Sequence, residues 1–591
     1  MKCRIKKIIS TASVLALTVA ATPGAKLYDE AQAVLGNAAS ITLTAKADTI
    51  SETTTWNKAT TLTEDTVVDG DLTISADVDL NGFTLTVNGD LTQSAGTIAC
   101  NNGMLNINGN YYLEYTSANK ENYYVCYPVL NLSEESDRVN IDGDLETHRI
   151  GSGYGIIQNA GTITVSGNIN AENGFTMSTN NYTVLNLNGK NDQYVNFGNC
   201  PTLNVLNITN PDKREIVWSG DMHVASLKSD IQVKPQNLNL GNINLAGYSM
   251  AVNGDCGIAK ETAIDINSGT LTINGNLSQA AGTIVCNNGK LNINGNYYLE
   301  YTSADKENYY VCYPVLNLSE ESDRVNIDGD LETHRIGSGY GIIQNAGTIT
   351  VSGNISADNG FTMSTNNYTV LKLNGNTKQK IDLAAGTKIN ILVINKPLSY
   401  YEFNQENCWM ELVTDYPAVV IKSWEKGNGA VKLNWDAVLG AEKYAIAGYV
   451  NGKWKVLDYG TGTSYVLKGL KPGVKYKVAV VAKIDGKWNL DVSKAVIVTP
   501  KTVNKYPVVT AEVSGKQFRL KWKPADAAEK YAIAVFQSGK WVVKVQLNSD
   551  VTSYTSPKLN NGTYKLVVCA KVNGKWDTSD LNKRAVTVTI K

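Results

Sequence analysis

Residues 96–185 return at 282–371 with a constant offset of 186, and five of the 90 positions differ: Ala99/Val285, Met104/Lys290, Asn119/Asp305, Asn170/Ser356 and Glu172/Asp358. A fold that holds such a block twice is modular. Just upstream the offset changes. Asn81-Gly82 and Val87-Asn88-Gly89-Asp90 return as Ala246-Gly247 and Val252-Asn253-Gly254-Asp255, now offset by 165. The second copy has therefore gained 186 − 165 = 21 positions, almost the length of a smaller internal repeat. A chain that gains one repeat without disturbing its neighbours behaves like a stack of coils, each touching only the next.

The smaller unit reads (Val/Ile)-(Asn/Asp/Ser)-Gly-(Asp/Asn)-apolar. Its glycines are Gly70, Gly89, Gly109, Gly143 and Gly167, at successive intervals of 19, 20, 34 and 24. In the second copy they are Gly254, Gly275, Gly295, Gly329 and Gly353, at intervals of 21, 20, 34 and 24. Between them lie alternating runs such as Phe83–Val87, Leu105–Ile107 and Leu271–Ile273. A period of two buries one face of each strand. The Asn-Gly, Asp-Gly and Ser-Gly pairs are expected to supply a positive φ at tight corners. Such pairs also suit hairpins in an antiparallel sheet. The coil-length insertion and the steady interval between glycines favour a parallel β-solenoid, and no run at helical spacing competes with it.

The interval of 34, set against the neighbouring 20, implies an excursion beyond one coil. It carries six tyrosines from Tyr111 to Tyr127, and recurs from Tyr297 to Tyr313. Tyr111, Tyr115, Tyr123, Tyr297, Tyr301 and Tyr309 are candidates for stacking on sugars or a protein partner. The competing reading is that they pack the excursion onto the coils.

The N-terminus has a basic start (Lys2, Arg4, Lys6, Lys7), an apolar stretch from Ile8 to Ala21 and small residues after it. This pattern predicts a secretory leader cleaved somewhere between residues 22 and 33, and a secreted, extracellular, surface-associated protein without a transmembrane segment in the mature chain. Lys plus Arg (54) balance Asp plus Glu (55), which argues against nucleic acid as a partner. Cys100 and Cys126 are 26 apart, as are Cys286 and Cys312, so duplicated disulfides and buried free thiols both remain open. No cysteine spacing resembles a metal site, and no cofactor is expected.

Near Pro417 a second repeat begins. Leu433-Asn-Trp435 returns as Leu520-Lys-Trp522, Glu442–Ile446 as Glu529–Ile533, and Gly-Lys-Trp occurs four times, ending at Trp454, Trp488, Trp541 and Trp576. The period of 87 or 88 accommodates seven short strands in each unit, the pattern of a β-sandwich. These residues resemble fibronectin type III domains. Trp435 and Trp522 match the core tryptophan, and Leu470–Tyr476 resembles the tyrosine corner, which is shorter at Leu559–Tyr564. The resemblance covers residues 417–591 and implies an interaction or spacer module without catalysis. Four tryptophans beside turns (Trp454, Trp488, Trp541, Trp576) are further candidates for ligand stacking, against the reading that each anchors its hairpin. More loosely, Leu187–Gln193 with its copy Leu373–Gln379, and Gly161–Asn168, resemble repeat regions of secreted or surface proteins from Gram-positive anaerobes.

Solenoids also carry polysaccharide lyases and glycosidases, which need clustered carboxylates. The acidic groups here are Glu134–Arg138, then Asp142, Asp144, Glu146, His148 and Arg149, with copies at Glu320–Arg324 and Asp328–Arg335. Each also reads as a solvated turn or one more coil corner, and no nucleophile elbow, metalloprotease helix or phosphate loop is present. The expected architecture is all-β: a leader, a linker over 34–60, β-solenoid modules over 61–226 and 227–415, and immunoglobulin-like sandwiches over 416–501 and 505–591. The expected function is that of a non-enzymatic, adhesin-like surface or matrix protein displaying or spacing a binding site, with polysaccharide or another surface protein as partner. A pure spacer is the rival reading and a β-helix lyase or glycosidase the distant one.

Overall fold

The computed structural model describes residues 48–50, 53–115, 127–198, 201–210, 214–301, 313–501 and 504–591. They form two compact units, up to Gly220 and from Asp221 to Lys591. The first unit is a three-faced parallel β-solenoid. One face stacks Thr84–Val87, Met104–Ile107, Arg138–Ile141 and Gly161–Val165 in parallel register. The second stacks Leu91–Gln93, Tyr111–Glu114, Leu145–His148 and Ile169–Ala171. The third stacks Thr97–Ala99, Val129–Leu132, Gly155–Gln158 and Phe175–Met177. Parallel pairing at each of these described rungs excludes hairpins there. Strands Asp48–Ile50 and Thr54–Trp56 already pair with Thr66–Val68 and Leu72–Ile74, so part of the stretch assigned to a linker is solenoid.

The period of two works as expected. Leu85, Leu105, Val139, Ile163 and Leu185 point inward at equivalent positions, all fully buried. Each such side chain contributes roughly 1.5–3 kcal/mol of transfer free energy. The corners are held by polar ladders. Oδ1 of Asp71 accepts the Asp90 N–H, Asp90 accepts that of Asn110, Asn110 that of Asp144, Asp144 that of Asn168 and Asn168 that of Tyr194, at 2.6–2.9 Å. The repeat's glycines serve this contact rather than left-handed backbone. None of Gly89, Gly109, Gly143 and Gly167 has a positive φ. A Cβ at Gly109 would lie 2.3 Å from Asp90 Oδ1 and 2.6 Å from Gly89 O, so what the corner demands is close approach between coils. The expectation of positive φ holds elsewhere, at Asn81-Gly82 (φ 48° and 82°).

The second unit repeats this solenoid. Its inserted segment is one added coil, with a rung on each face: Cys256–Ile258, Ala263–Asp265 and Thr270–Ile273, each paired in parallel with the coil that follows. Two antiparallel sandwiches come after. The first sets Ile421–Gly427, Ala430–Trp435 and Ser464–Lys468 in one sheet, against Ala441–Val450, Lys453–Gly460, Tyr476–Ile484, Lys487–Trp488 and Val496–Val498 in the other. The second repeats that pairing around Gln517–Lys523, Lys530–Gln537 and Gly562–Val572. Trp435 and Trp522 are buried in the two cores, each edge-on to a tyrosine, Tyr444 or Tyr531. The Tyr476 hydroxyl accepts the Lys471 N–H at 2.8 Å, and the shorter corner also closes, Tyr564 donating to Asn560 O at 2.9 Å. Among the described residues the only α-helix is Leu581–Arg584, and no helix is long and apolar enough to cross a membrane.

Candidate functional site

Part of each acidic cluster holds backbone in place. Asp137 is fully buried and its carboxylate accepts the N–H groups of Asn102, Ser133 and Glu134 at 2.7–3.0 Å; Asp323 repeats this with Asn288, Ser319 and Glu320. Arg138 donates to Glu135 O and Asp137 O, closing the same turn. Asp144 and Asp330 belong to the corner ladders. Asp142, Asp144, Asn168, Lys190 and Asp192 line a polar cavity of about 630 Å³. In the second copy Lys378 stands where Asp192 does, so the chain does not carry the same charges twice. Among the described residues no three His, Cys, Asp or Glu side chains are placed to hold a metal. Five described cysteines are buried free thiols, and burial raises their pKa values, that of Cys256 to about 12. Cys100 and Cys286 are among these free thiols, which fits the reading of buried free thiols, while Cys126 and Cys312 lie outside the described residues.

The tyrosines divide sharply. Tyr111 and Tyr297 are fully buried rungs of the core, their hydroxyls bonded to Gln93 and Gln279 Oε1 at 2.6 and 2.5 Å. They are withdrawn as ligand-binding candidates: the inward position of a rung swallows the ring. Tyr123 and Tyr309 lie outside the described residues. Tyr115 and Tyr301 stay at the surface, where each begins a ladder. Tyr115 lies 4.7 Å from Tyr127, and Tyr127 lies 4.9 Å from Tyr154; the copy sets Tyr301, Tyr313 and Tyr340 at 4.8 and 5.0 Å. Tyr154 and Tyr340 are the open ends, 40% and 41% exposed. Gly151 makes room, because a Cβ there would sit 2.5 Å from the Tyr127 ring. Beside the ladder, on the adjoining face, Glu114 opposes His148, and His148 is 2.8 Å from Glu146. In the copy His334 also reaches Asp358 at 2.9 Å, and that carboxylate raises its pKa. Arg149 and Arg335 follow with left-handed backbone (φ 56° and 57°), a strain that few non-glycine residues adopt. Sequence reading missed Tyr154 and Tyr340. Their signal was the coil spacing, which brings residues one coil onward against Tyr127 and Tyr313.

All four tryptophans follow tight turns whose two central residues have positive φ: Asn451-Gly452, Asp485-Gly486, Ser538-Gly539 and Asn573-Gly574. Each ring is half-buried on the outer face of its sheet. Trp454 pairs with Tyr449, Trp488 with Tyr459 and Trp541 with Phe536, at 5.3–5.6 Å. Trp541 and Trp576 cover a floor of Ala534, Val567 and Cys569, joined by Leu581 from the short helix. The overall charge balance conceals a division that sequence reading also missed. Residues 417–591 hold 29 of the 54 Lys and Arg but 12 of the 55 Asp and Glu, a net of +17, so residues 1–416 carry −18.

No family model matches the chain. A Kelch domain-containing protein of Saccharolobus solfataricus is 28% identical over 179 residues, which cover 29% of this chain and 24% of that protein. The chain thus spans about a quarter of the curated relative it matches. A two-domain fibronectin type III segment of chicken tenascin is 16% identical, covering 30% of this chain and 99% of that one at a TM-score of 0.16. A fibronectin array of a RIM-binding protein is also 16% identical, covering 29% and 61% at a TM-score of 0.13. At such scores the sandwich assignment rests on strand pairing, the buried tryptophans and the tyrosine corners.

Proposed function

We propose that this is an exported, non-enzymatic surface or matrix protein of a bacterium that binds polysaccharide through its two tyrosine ladders. The observation that carries the reading is the ladder itself: three rings in succession, each touching the next, with the last open to solvent, beside Glu114, Glu146 and His148. A flat ring offers an apolar face to a sugar at low entropic cost, and neighbouring carboxylates accept its hydroxyl protons. Two carboxylates of the clusters that would serve a lyase or glycosidase, Asp137 and Asp144, are taken up by backbone N–H groups, which supports binding over catalysis. A purely structural spacer is the second reading, favoured by the half-buried tryptophans.

The test is a glycan array probed with the full chain and with Tyr154→Ala/Tyr340→Ala. The expected result is binding to neutral polysaccharide that the double variant loses at unchanged melting temperature. Absence of binding to any glycan leaves the spacer reading standing, and release of reducing ends would establish an enzyme.

A further inference from the structure

We infer that the outer faces of the two sandwiches form a second, separate binding surface, for an acidic polysaccharide. The charge division comes first. Counted separately, residues 417–501 hold 14 Lys and 6 Asp or Glu, while 504–591 hold 15 Lys or Arg and 6 Asp or Glu, so each sandwich is strongly basic. The long-range field of such a domain draws in anions and raises their local concentration. Three of these lysines have a defined seat. Lys443 lies 5.2 and 5.7 Å above the rings of Tyr459 and Trp488. Lys477 lies 5.5 and 5.7 Å above Tyr449 and Trp454, and Lys565 lies 5.6 and 5.9 Å above Phe536 and Trp541. The quadrupoles of two rings hold each ammonium in place without neutralising it. Lys565 also donates to Asn582 Oδ1 at 3.2 Å, an uncharged partner. Ion pairs in the sandwiches engage other lysines, such as Lys422 with Asp436 and Lys483 with Glu442, and none within 4 Å involves these three among the described residues.

The spacing selects the polymer. On the first sandwich Lys443 and the Tyr449 seat of Lys477 are six positions apart along one strand, about 20 Å. Between them the floor is uncharged and buried: Ala445, Ala447, Ala479 and Val481. Duplex nucleic acid presents a charge every ~1.7 Å and is matched by dense basic grooves. Cations seated on ring pairs about 20 Å apart, with uncharged residues between them, fit a flexible chain whose anionic groups are separated by neutral sugar rings. The lysines also cover the ring faces on which a nucleobase would stack. The inference stands apart from the tyrosine ladders, which contain none of these residues.

The full chain is titrated with dextran sulfate, with neutral dextran of equal length and with duplex DNA as comparisons. The expected result is binding of dextran sulfate and not of dextran, with affinity falling about tenfold or more as salt is raised from ~50 to ~300 mM. Lys443→Gln/Lys477→Gln/Lys565→Gln should weaken it at least about tenfold, while the surface control Lys468→Gln/Lys516→Gln/Lys558→Gln changes it less than about twofold. Equal loss in both triple variants would mean diffuse charge and overturn the site. Tighter binding of DNA than of dextran sulfate would overturn the choice of polymer, and no binding of dextran sulfate at low salt would overturn the inference altogether. Tyr154→Ala/Tyr340→Ala should bind dextran sulfate normally, so failure of the ladder reading and failure of this one are distinguishable.

Discussion

The solenoid and the sandwiches both alternate apolar and polar residues along short strands, yet they treat an aromatic ring in opposite ways. In the solenoid every rung has an interior, and a ring on the inward position becomes core, as Tyr111 does against Gln93. A ring reaches solvent on an outward position, as Tyr112 does, or at a corner, where Tyr115, Tyr127 and Tyr154 gather. In a sandwich the second sheet has an outer face with no layer above it. There rings pack over small residues and become half-buried, as Trp541 does over Ala534 and Val567. Position relative to a layer, more than residue type or closeness to a turn, therefore decides which aromatics are available to a ligand. The same comparison extends to charge, with carboxylates and asparagines tying the coils together and lysines seated on ring pairs of the sandwich faces.

The comparison breaks first if the two classes of tyrosine behave alike. Tyr111→Ala should lower the stability of its solenoid by about 3–5 kcal/mol, because it opens a cavity and orphans Gln93. Tyr154→Ala should cost less than about 1 kcal/mol. Chemical denaturation of both variants checks this, and equal losses would remove the distinction between rung and corner.

A smaller effect sharpens the solenoid side. Lys396 is buried, its Nζ donating to Gly375 O at 2.9 Å and to Gln379 Oε1 at 2.7 Å over the ring of Tyr401, and burial lowers its pKa to about 8. The unfolded chain keeps that proton up to about 10.4. Between these values the unfolded state binds more protons, so stability should rise with pH from about 8 to 10.4, by roughly 3 kcal/mol. Lys396→Met should abolish this slope in melts recorded across that window. A slope unchanged by the substitution would assign it to other groups.

The smallest effect concerns the sandwiches. Trp541→Ala removes a half-buried ring and should cost about 2 kcal/mol in the second sandwich, less than the roughly 3–5 kcal/mol of a fully buried one such as Trp522. If the melting temperature does not move, the ring is a free ligand platform and the covering role is wrong.

Much of the fold could be read from spacing. Coil length, the coil-sized insertion and the period of two led to the parallel solenoid, and Leu433-Asn-Trp435 with Leu470–Tyr476 led to the sandwiches, because these signals are local and repeated. The role of the glycines was misjudged, since Asn-Gly signals a left-handed turn in a hairpin, whereas here Gly109 permits contact with a neighbouring coil. The candidate site was legible only in part. Tyr111 and Tyr115 look alike in sequence, and only the registration of the strand turns one inward and leaves the other at a corner. Tyr154 is separated from the tyrosine excursion along the chain and joins it only through stacking. The charge division was present in the sequence and was hidden by summing over the whole chain.

Hydroxyl-radical footprinting of the native full chain, with and without bound polysaccharide, tests the central claim most directly. The substitutions Asn119/Asp305 and Asn170/Ser356 let peptides from the two copies be told apart by mass. The account predicts that Tyr154 and Tyr340 are oxidised in the free protein and protected by the glycan, while Tyr111 and Tyr297 stay unmodified in both states. Oxidation of Tyr111 at the rate of Tyr154, or glycan protection that falls elsewhere and spares both ladders, would contradict it.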